Sequence, residues 1–171
     1  VPIVNFDPLL RGHDGNDAFV GGDDWLTAGE GRNLIDAGAG DDVVHATAGR
    51  DTLLGGDGAD LVFGGRDSAV LEGGAGADLL DLRINSGADH SASGGAGADH
   101  FAFIHLTGQK NGHTVIGDFE MGLDRVSVDQ ADLGLLMQAQ ELRFNDSAAG
   151  AVVTFGNAAG SIIFAGLPPR R

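Results

Sequence analysis

Gly55-Gly-Asp-Gly-Ala-Asp-Leu-Val-Phe63 decides the fold, because the chain repeats it with small changes. Ala37-Gly-Ala-Gly-Asp-Asp-Val-Val-His45, Gly73-Gly-Ala-Gly-Ala-Asp-Leu-Leu-Asp81 and Gly94-Gly-Ala-Gly-Ala-Asp-His-Phe-Ala102 keep the same nine-residue pattern. In it Gly or Ala stands first, Gly second and fourth, Asp sixth and an apolar residue eighth. Weaker copies hold the phase at 12–20, at 28–36, where Asn33 replaces the acid, and at 46–54. The sixth-position column therefore runs Asp24, Asn33, Asp42, Asp51, Asp60, a gap at Ala69, and Asp78, in steps of nine. Two places on, a second column is apolar throughout: Phe19, Leu26, Ile35, Val44, Leu53, Val62, Leu71, Leu80 and Phe101. A flexible glycine linker has no use for an apolar residue at every ninth place, so the pattern marks a repeat architecture.

The first six positions suit a turn, since glycine tolerates positive φ and lets carbonyls face inward with no Cβ in the way. The last three suit a short strand. Side chains alternate along a strand, so the eighth residue points away from the seventh and ninth, and one apolar residue per copy enters a core. Glycine accounts for 30 of 171 residues and proline for only 4, which excludes collagen and proline-rich linkers.

This nonapeptide resembles the RTX (repeats-in-toxin) calcium motif over roughly residues 12 to 102. The resemblance implies an all-β fold: a right-handed parallel β-roll of two parallel sheets, two copies to a coil, followed by a β-rich C-terminal cap. It also implies several Ca2+ ions. Each would sit between the turns of copies n and n+2, held by both sixth-position carboxylates and by carbonyl oxygens of turn glycines. Calcium takes about six to eight oxygens, and such a pair of turns offers only oxygens. On this sequence the bridging pairs are Asp42 with Asp60, Asp60 with Asp78, and Asp78 with Asp99, followed by Asn33 with Asp51 and Asp24 with Asp42. The turn glycines are Gly38, Gly40, Gly56, Gly58, Gly74, Gly76, Gly95 and Gly97. Asn33 would ligate through its amide oxygen, with one negative charge fewer. Copy 64–72 has no sixth-position acid, so its sites depend on Asp67 reaching in. Asp17, seven residues before Asp24, and Asp89, eleven after Asp78, are the ligands expected from irregular coils.

Twenty-five Asp and Glu against ten Lys and Arg give a net charge of −15, a field that repels nucleic acid and anionic membranes and attracts cations. With no Cys there is neither a disulfide framework nor a thiolate metal site. No apolar run reaches the roughly 18 residues of a membrane span. Val1, in place of an initiator Met, is read as the start of an excised fragment. Without metal the aligned carboxylates repel one another, and a thin core does not offset the entropy of so many glycines. The roll is thus expected to be disordered until calcium binds its folded state.

After Phe101 the composition changes. His113-Thr-Val-Ile-Gly-Asp-Phe-Glu-Met-Gly-Leu-Asp-Arg-Val-Ser-Val128 resembles the segment that follows the roll in serralysin-type C-terminal domains, through Ile116, Asp118, Phe119, Gly122 and Asp124. Asp118 and Asp124 are either further calcium ligands or turn formers. Residues 131–140 read as a short helix, and 142–145, 151–155 and 161–165 as antiparallel strands. The division expected is a lead-in at 1–11, the roll at 12–102 and the cap at 103–171, a region that in such families carries an uncleaved type I secretion signal.

Enzymatic signatures are missing. There is no His-Glu-x-x-His, no Gly-x-Ser-x-Gly and no phosphate-loop lysine, and the six His residues form no catalytic trio, with His45 and His100 read as surface residues. The expected role is a non-catalytic module of a secreted, extracellular bacterial protein. Its partners would be the type I secretion apparatus and the parent protein's N-terminal domain, with neither nucleic acid nor membrane span. A different class, a polysaccharide-binding or adhesin module, would bind glycan through the roll's few cations, Arg32, Arg50, Arg66 and Arg83. Ice binding would need a regular threonine column, which Thr27, Thr47 and Thr52 do not form.

Overall fold

The computed structural model describes residues 10–11, 16–18, 21–82, 88–103, 112–128, 143–147, 150–155 and 160–165. Two large sheets form the roll, and Glu30–Gly31 pairs with Ala48–Gly49 in a third, two-stranded one. One large sheet has seven strands in chain order: Leu10–Arg11, Trp25–Thr27, Val43–His45, Leu61–Phe63, Leu79–Asp81, His100–Phe103 and Arg125–Val128. The other starts with Asn16–Ala18, Leu34–Ala39, Asp51–Asp57, Ala69–Ala75, His90–Ala96 and His113–Ile116. The chain crosses from one sheet to the other at every turn, and every pairing in these two series is parallel. This is the parallel two-sheet roll implied by the repeat, and among the described residues there is no helix.

The register follows the apolar column. Leu26, Val44, Val62, Leu80, Phe101 and Val126 stack in the first sheet, and Ile35, Leu53, Leu71, Ala92 and Ile116 in the second. From Leu26 to Leu80 the step is 18 residues, two nonapeptides per coil, and from Leu80 to Phe101 it widens to 21. Strand alternation buries these residues, Val126 only partly, while their neighbours stay partly wet, as along Asp51–Asp57. The core is thus two facing files of Leu, Ile, Val and Phe, one from each sheet, with small companions such as Ala28, Ala37 and Ala46. Each buried aliphatic side chain contributes about 1.5–3 kcal/mol, so the interior is modest for the chain's length.

The ladder is longer than the glycine motif. Leu10–Arg11 already pairs with Trp25–Thr27, and His113–Ile116 and Arg125–Val128 add strands beyond residue 102. What ends near Phe101 is the tight turn, not the coil, because the pairing depends on backbone and apolar register alone. Arg143–Ser147, Gly150–Phe155 and Gly160–Ala165 form the expected antiparallel meander, and Gly160–Ala165 also pairs in parallel with His113–Ile116, bringing the second sheet to nine strands. The meander thereby occupies an edge that would otherwise leave backbone groups unpaired. At this end Phe119 packs against Phe101 and, edge to face with centroids 5.1 Å apart, against Phe164. The helix expected at 131–140 and the core position expected of Phe19 lie outside the described residues. Among the described residues no helix is long and apolar enough to cross a membrane.

Candidate metal site

The roll has two long edges, one for each of the turns in a coil, and they carry different chemistry. On the first edge stand Asp24, Asp42, Asp60, Asp78, Asp99 and Asp124. From Asp42 onward, each carboxylate reaches back one coil. The backbone N–H of Asp24 donates to Asp42 Oδ1 (2.7 Å), that of Asp42 to Asp60 Oδ1 (2.8 Å) and that of Asp60 to Asp78 Oδ1 (2.9 Å). The amides of Asp78 and Asp99 continue the chain to Asp99 Oδ1 and Asp124 Oδ1, each at 3.0 Å. One oxygen of each of Asp42, Asp60, Asp78 and Asp99 is therefore committed to holding the coils together.

The other oxygen is not. Oδ2 of Asp42, Asp60 and Asp78 is buried and has no hydrogen-bond partner. A buried, unsatisfied carboxylate oxygen is costly, more so when charged, and it recurs here in successive coils. A Cβ on Gly55, Gly73 or Gly94 would run into Oδ2 of Asp60, Asp78 or Asp99, whereas Ala37 takes that place beside Asp42. The fourth-position glycines answer to a stricter demand. Gly58 has φ of 144° and Gly76 of 147°, and a Cβ on either would overlap the carbonyl oxygen of Gly40 or Gly58 one coil back. Carbonyls and carboxylates are thus stacked along this edge as close as backbone allows.

Proton affinity reports the same strain. Burial pushes Asp42 and Asp60 up to about 6 from the ordinary 3.8, against the lowering effect of the amide each accepts, and neighbouring carboxylates add to the rise. Asp78, Asp99 and Asp24 move upward as well, again chiefly through burial. A divalent cation is the natural relief: it satisfies the orphaned oxygens and replaces mutual repulsion by attraction. Among the described residues no three His, Asp or Glu side chains converge on one point, so such a cation draws much of its shell from backbone carbonyls. An all-oxygen set of that kind suits calcium. The residues that would hold it are Asp42, Asp60, Asp78 and Asp99, with glycine carbonyls of the adjoining turns.

The second edge departs from expectation. Its sixth-position column is Asn33, Asp51, Ala69, His90 and Thr114, aligned by strand register. Asn33 and Asp51 are brought together as expected, but through donation: both the backbone N–H and the side-chain amide of Asn33 give to Asp51 Oδ1 at 3.0 Å. Asp67 does not enter the column; exposed, it accepts the Gly49 N–H at 2.8 Å. His90, not Asp89, occupies the column, and exposed Asp89 accepts the N–H of His113 at 2.9 Å. The step from Ala69 to His90 is 21 residues, against 18 from Asp51 to Ala69. The backbone of Asp17 lies opposite Ile35, two places past Asn33.

Both candidates at the C-terminal end use both carboxylate oxygens within the protein. Asp124 extends the first-edge row by accepting the Asp99 N–H at Oδ1 and also accepts the Glu120 N–H at Oδ2 (2.8 Å), while Asp118 accepts from the Ser93 hydroxyl and the Gly94 and Gly95 amides. Asp118 is therefore a turn brace. A fifth-position pair, Asp23 and Asp41, was not singled out from sequence. Asp23 accepts the Asp41 N–H and Asp41 the Ala59 N–H, forming a second, exposed acidic row. Its signal was the Asp-Asp doublet at 23–24 and 41–42.

A parallel roll with one edge of stacked, half-satisfied carboxylates defines a cation-binding repeat domain. A profile of the RTX calcium-binding nonapeptide repeat, four copies long, matches residues 20–53, 38–71 and 54–83. Together these matches cover residues 20–83, and the description of the matched family names calcium as the cation. No curated protein matches the chain. Among solved structures, the extracellular lipase LipA from Serratia marcescens is similar over 94% of this chain and 40% of its own, with a TM-score of 0.34 and 14% identity. The chain thus spans less than half the length of that lipase.

Proposed function

We propose that this chain is a calcium-responsive folding module, non-catalytic in itself, belonging to a larger protein that bacteria export. The observation that carries this reading is the row of buried Oδ2 atoms on Asp42, Asp60 and Asp78. A chain built around them gains little by folding until a cation arrives, so it stays open where calcium is scarce, inside the cell, and closes outside. That behaviour suits passage through a type I secretion channel, which takes unfolded chains, and the net charge of −15 strengthens the calcium dependence. The profile match to RTX repeats supports the same reading.

Calcium titration followed by far-UV circular dichroism tests it, with wild type beside Asp60→Ala. Asp60 accepts from Asp42 and donates its own amide to Asp78, so it borders two sites. The strand signal is expected to appear only with calcium, and the midpoint for Asp60→Ala to move upward by about tenfold or more, since each lost ligand charge weakens such a site. Equal strand content in chelator and in calcium would overturn the proposal. For the export step, a fusion carrying the chain is expected to leave the cell through a type I apparatus when cytosolic calcium is low and to be retained when the chain is pre-folded.

A further inference from the structure

We infer that the second edge of the roll is a binding site for an acidic sugar, recognised by Arg32 and Arg50. This edge carries cations where the first carries acids. At the fifth position, where the first edge has Asp23 and Asp41, the second has Arg32 and Arg50, one coil apart and two places before the paired Leu34 and Thr52. The Arg50 N–H donates to Gly31 O at 3.0 Å, which keeps the two turns in step. Both arginines are exposed, and among the described residues neither guanidinium has an ion-pair or hydrogen-bond partner.

Both also line one cleft of about 310 Å³. Its remaining wall supplies the Thr52, Ser68 and Ser91 hydroxyls, the Asp51 and Asp89 carboxylates, the His90 imidazole, and an apolar floor at Ala69 and Val70. The floor exists because the acid column breaks there: Ala69 has no carboxylate with which to draw a cation into this edge.

Each feature selects the ligand. Paired guanidinium groups favour a planar carboxylate, which they grip bidentately. Hydroxyls and carboxylates around them accept and donate to sugar hydroxyls, while the apolar floor meets a C–H face. Asp51 and Asp89 oppose a phosphate dianion, and the acidic whole opposes nucleic acid, so one charge spread over a polyol is the fit. The volume is at the small end of ligand pockets, about one sugar unit.

The test is calorimetry in millimolar calcium with a galacturonic acid trimer, a neutral glucose trimer and a short oligodeoxynucleotide. Wild type is expected to bind the acidic trimer, and Arg32→Gln/Arg50→Gln to bind it at least about tenfold more weakly, since charge-assisted bidentate contacts are lost. Unchanged circular dichroism of the variant in calcium shows that the roll still forms, and a wild type that fails to fold with calcium counts against the folding proposal alone. The inference is overturned if the acidic trimer does not bind folded wild type at millimolar concentration, or if the neutral trimer or the DNA binds as well. It is equally overturned if the double variant binds like wild type, or if Asp60→Asn rather than the arginine change abolishes binding, which would mean a calcium bridge on the first edge.

Discussion

Protons should partly replace calcium. Asp42 and Asp60 hold their protons up to about pH 6 in the folded roll, against 3.8 for an ordinary carboxyl, so the folded state binds protons that the unfolded chain releases. The linkage sign follows: the folded state is favoured below 3.8, and that benefit is lost as pH rises through about 6. Roughly two pH units for an isolated group would be about 3 kcal/mol, but solvent at the edge screens the effect to about 1 kcal/mol each. The two together give about 2 kcal/mol, roughly a thirtyfold change in the folded-to-unfolded ratio. Asp24, Asp78 and Asp99 shift the same way and steepen the response. The assay is far-UV circular dichroism of metal-stripped protein from pH 7.5 to 5, above the isoelectric point near 4.4. Wild type should gain strand signal as pH falls. Because general charge repulsion also eases on acidification, the discriminating sample is Asp42→Asn/Asp60→Asn, which should start more folded at pH 7.5 and respond less. Identical pH profiles for the two proteins, or strand content that rises with pH, would refute the reasoning.

Gly58→Ala should lose about 1–3 kcal/mol from its positive φ alone, and more from the overlap with Gly40 O, lowering the calcium-loaded melting temperature, as calorimetry will show. Asp51→Asn should leave the number of bound calcium ions unchanged while Asp60→Asn lowers it, as measured by atomic emission after equilibrium dialysis, because Asp60 sits in the unsatisfied row and Asp51 sits beyond the break at Ala69. Leu53→Ala, in the core, should cost about 2–5 kcal/mol in calcium by urea unfolding; a loss below 1 kcal/mol would show that metal, not packing, sets the stability there.

Much of this architecture could be read from two columns of residues. The apolar column marked the strands and their inward residue, the resemblance it carried implied two parallel sheets with two copies to a coil, and the observed register has that 18-residue step. The acid column gave the first edge residue by residue. What stayed hidden is local. A count of nine cannot follow a step that widens to 21, so the place of His90 in the column and the pairing of Asp17 with Ile35 could not be read from spacing. The difference between the edges was also hidden, since Asn33, Asp51 and Asp60 look alike in sequence, and only hydrogen bonding separates a carboxylate with a spare oxygen from one taken up by an amide. Asp118 and Asp124 show the same limit: only the structure shows that both oxygens of each are taken up by protein donors.

A structure of crystals grown in millimolar calcium, with anomalous scattering to mark the ion, tests the central claim most directly. Calcium density is predicted along the first edge, about 2.3–2.6 Å from Oδ2 of Asp42, Asp60 and Asp78, with glycine carbonyls completing each shell. Density confined to the second edge, or those three oxygens turned to protein donors with no ion beside them, would contradict it.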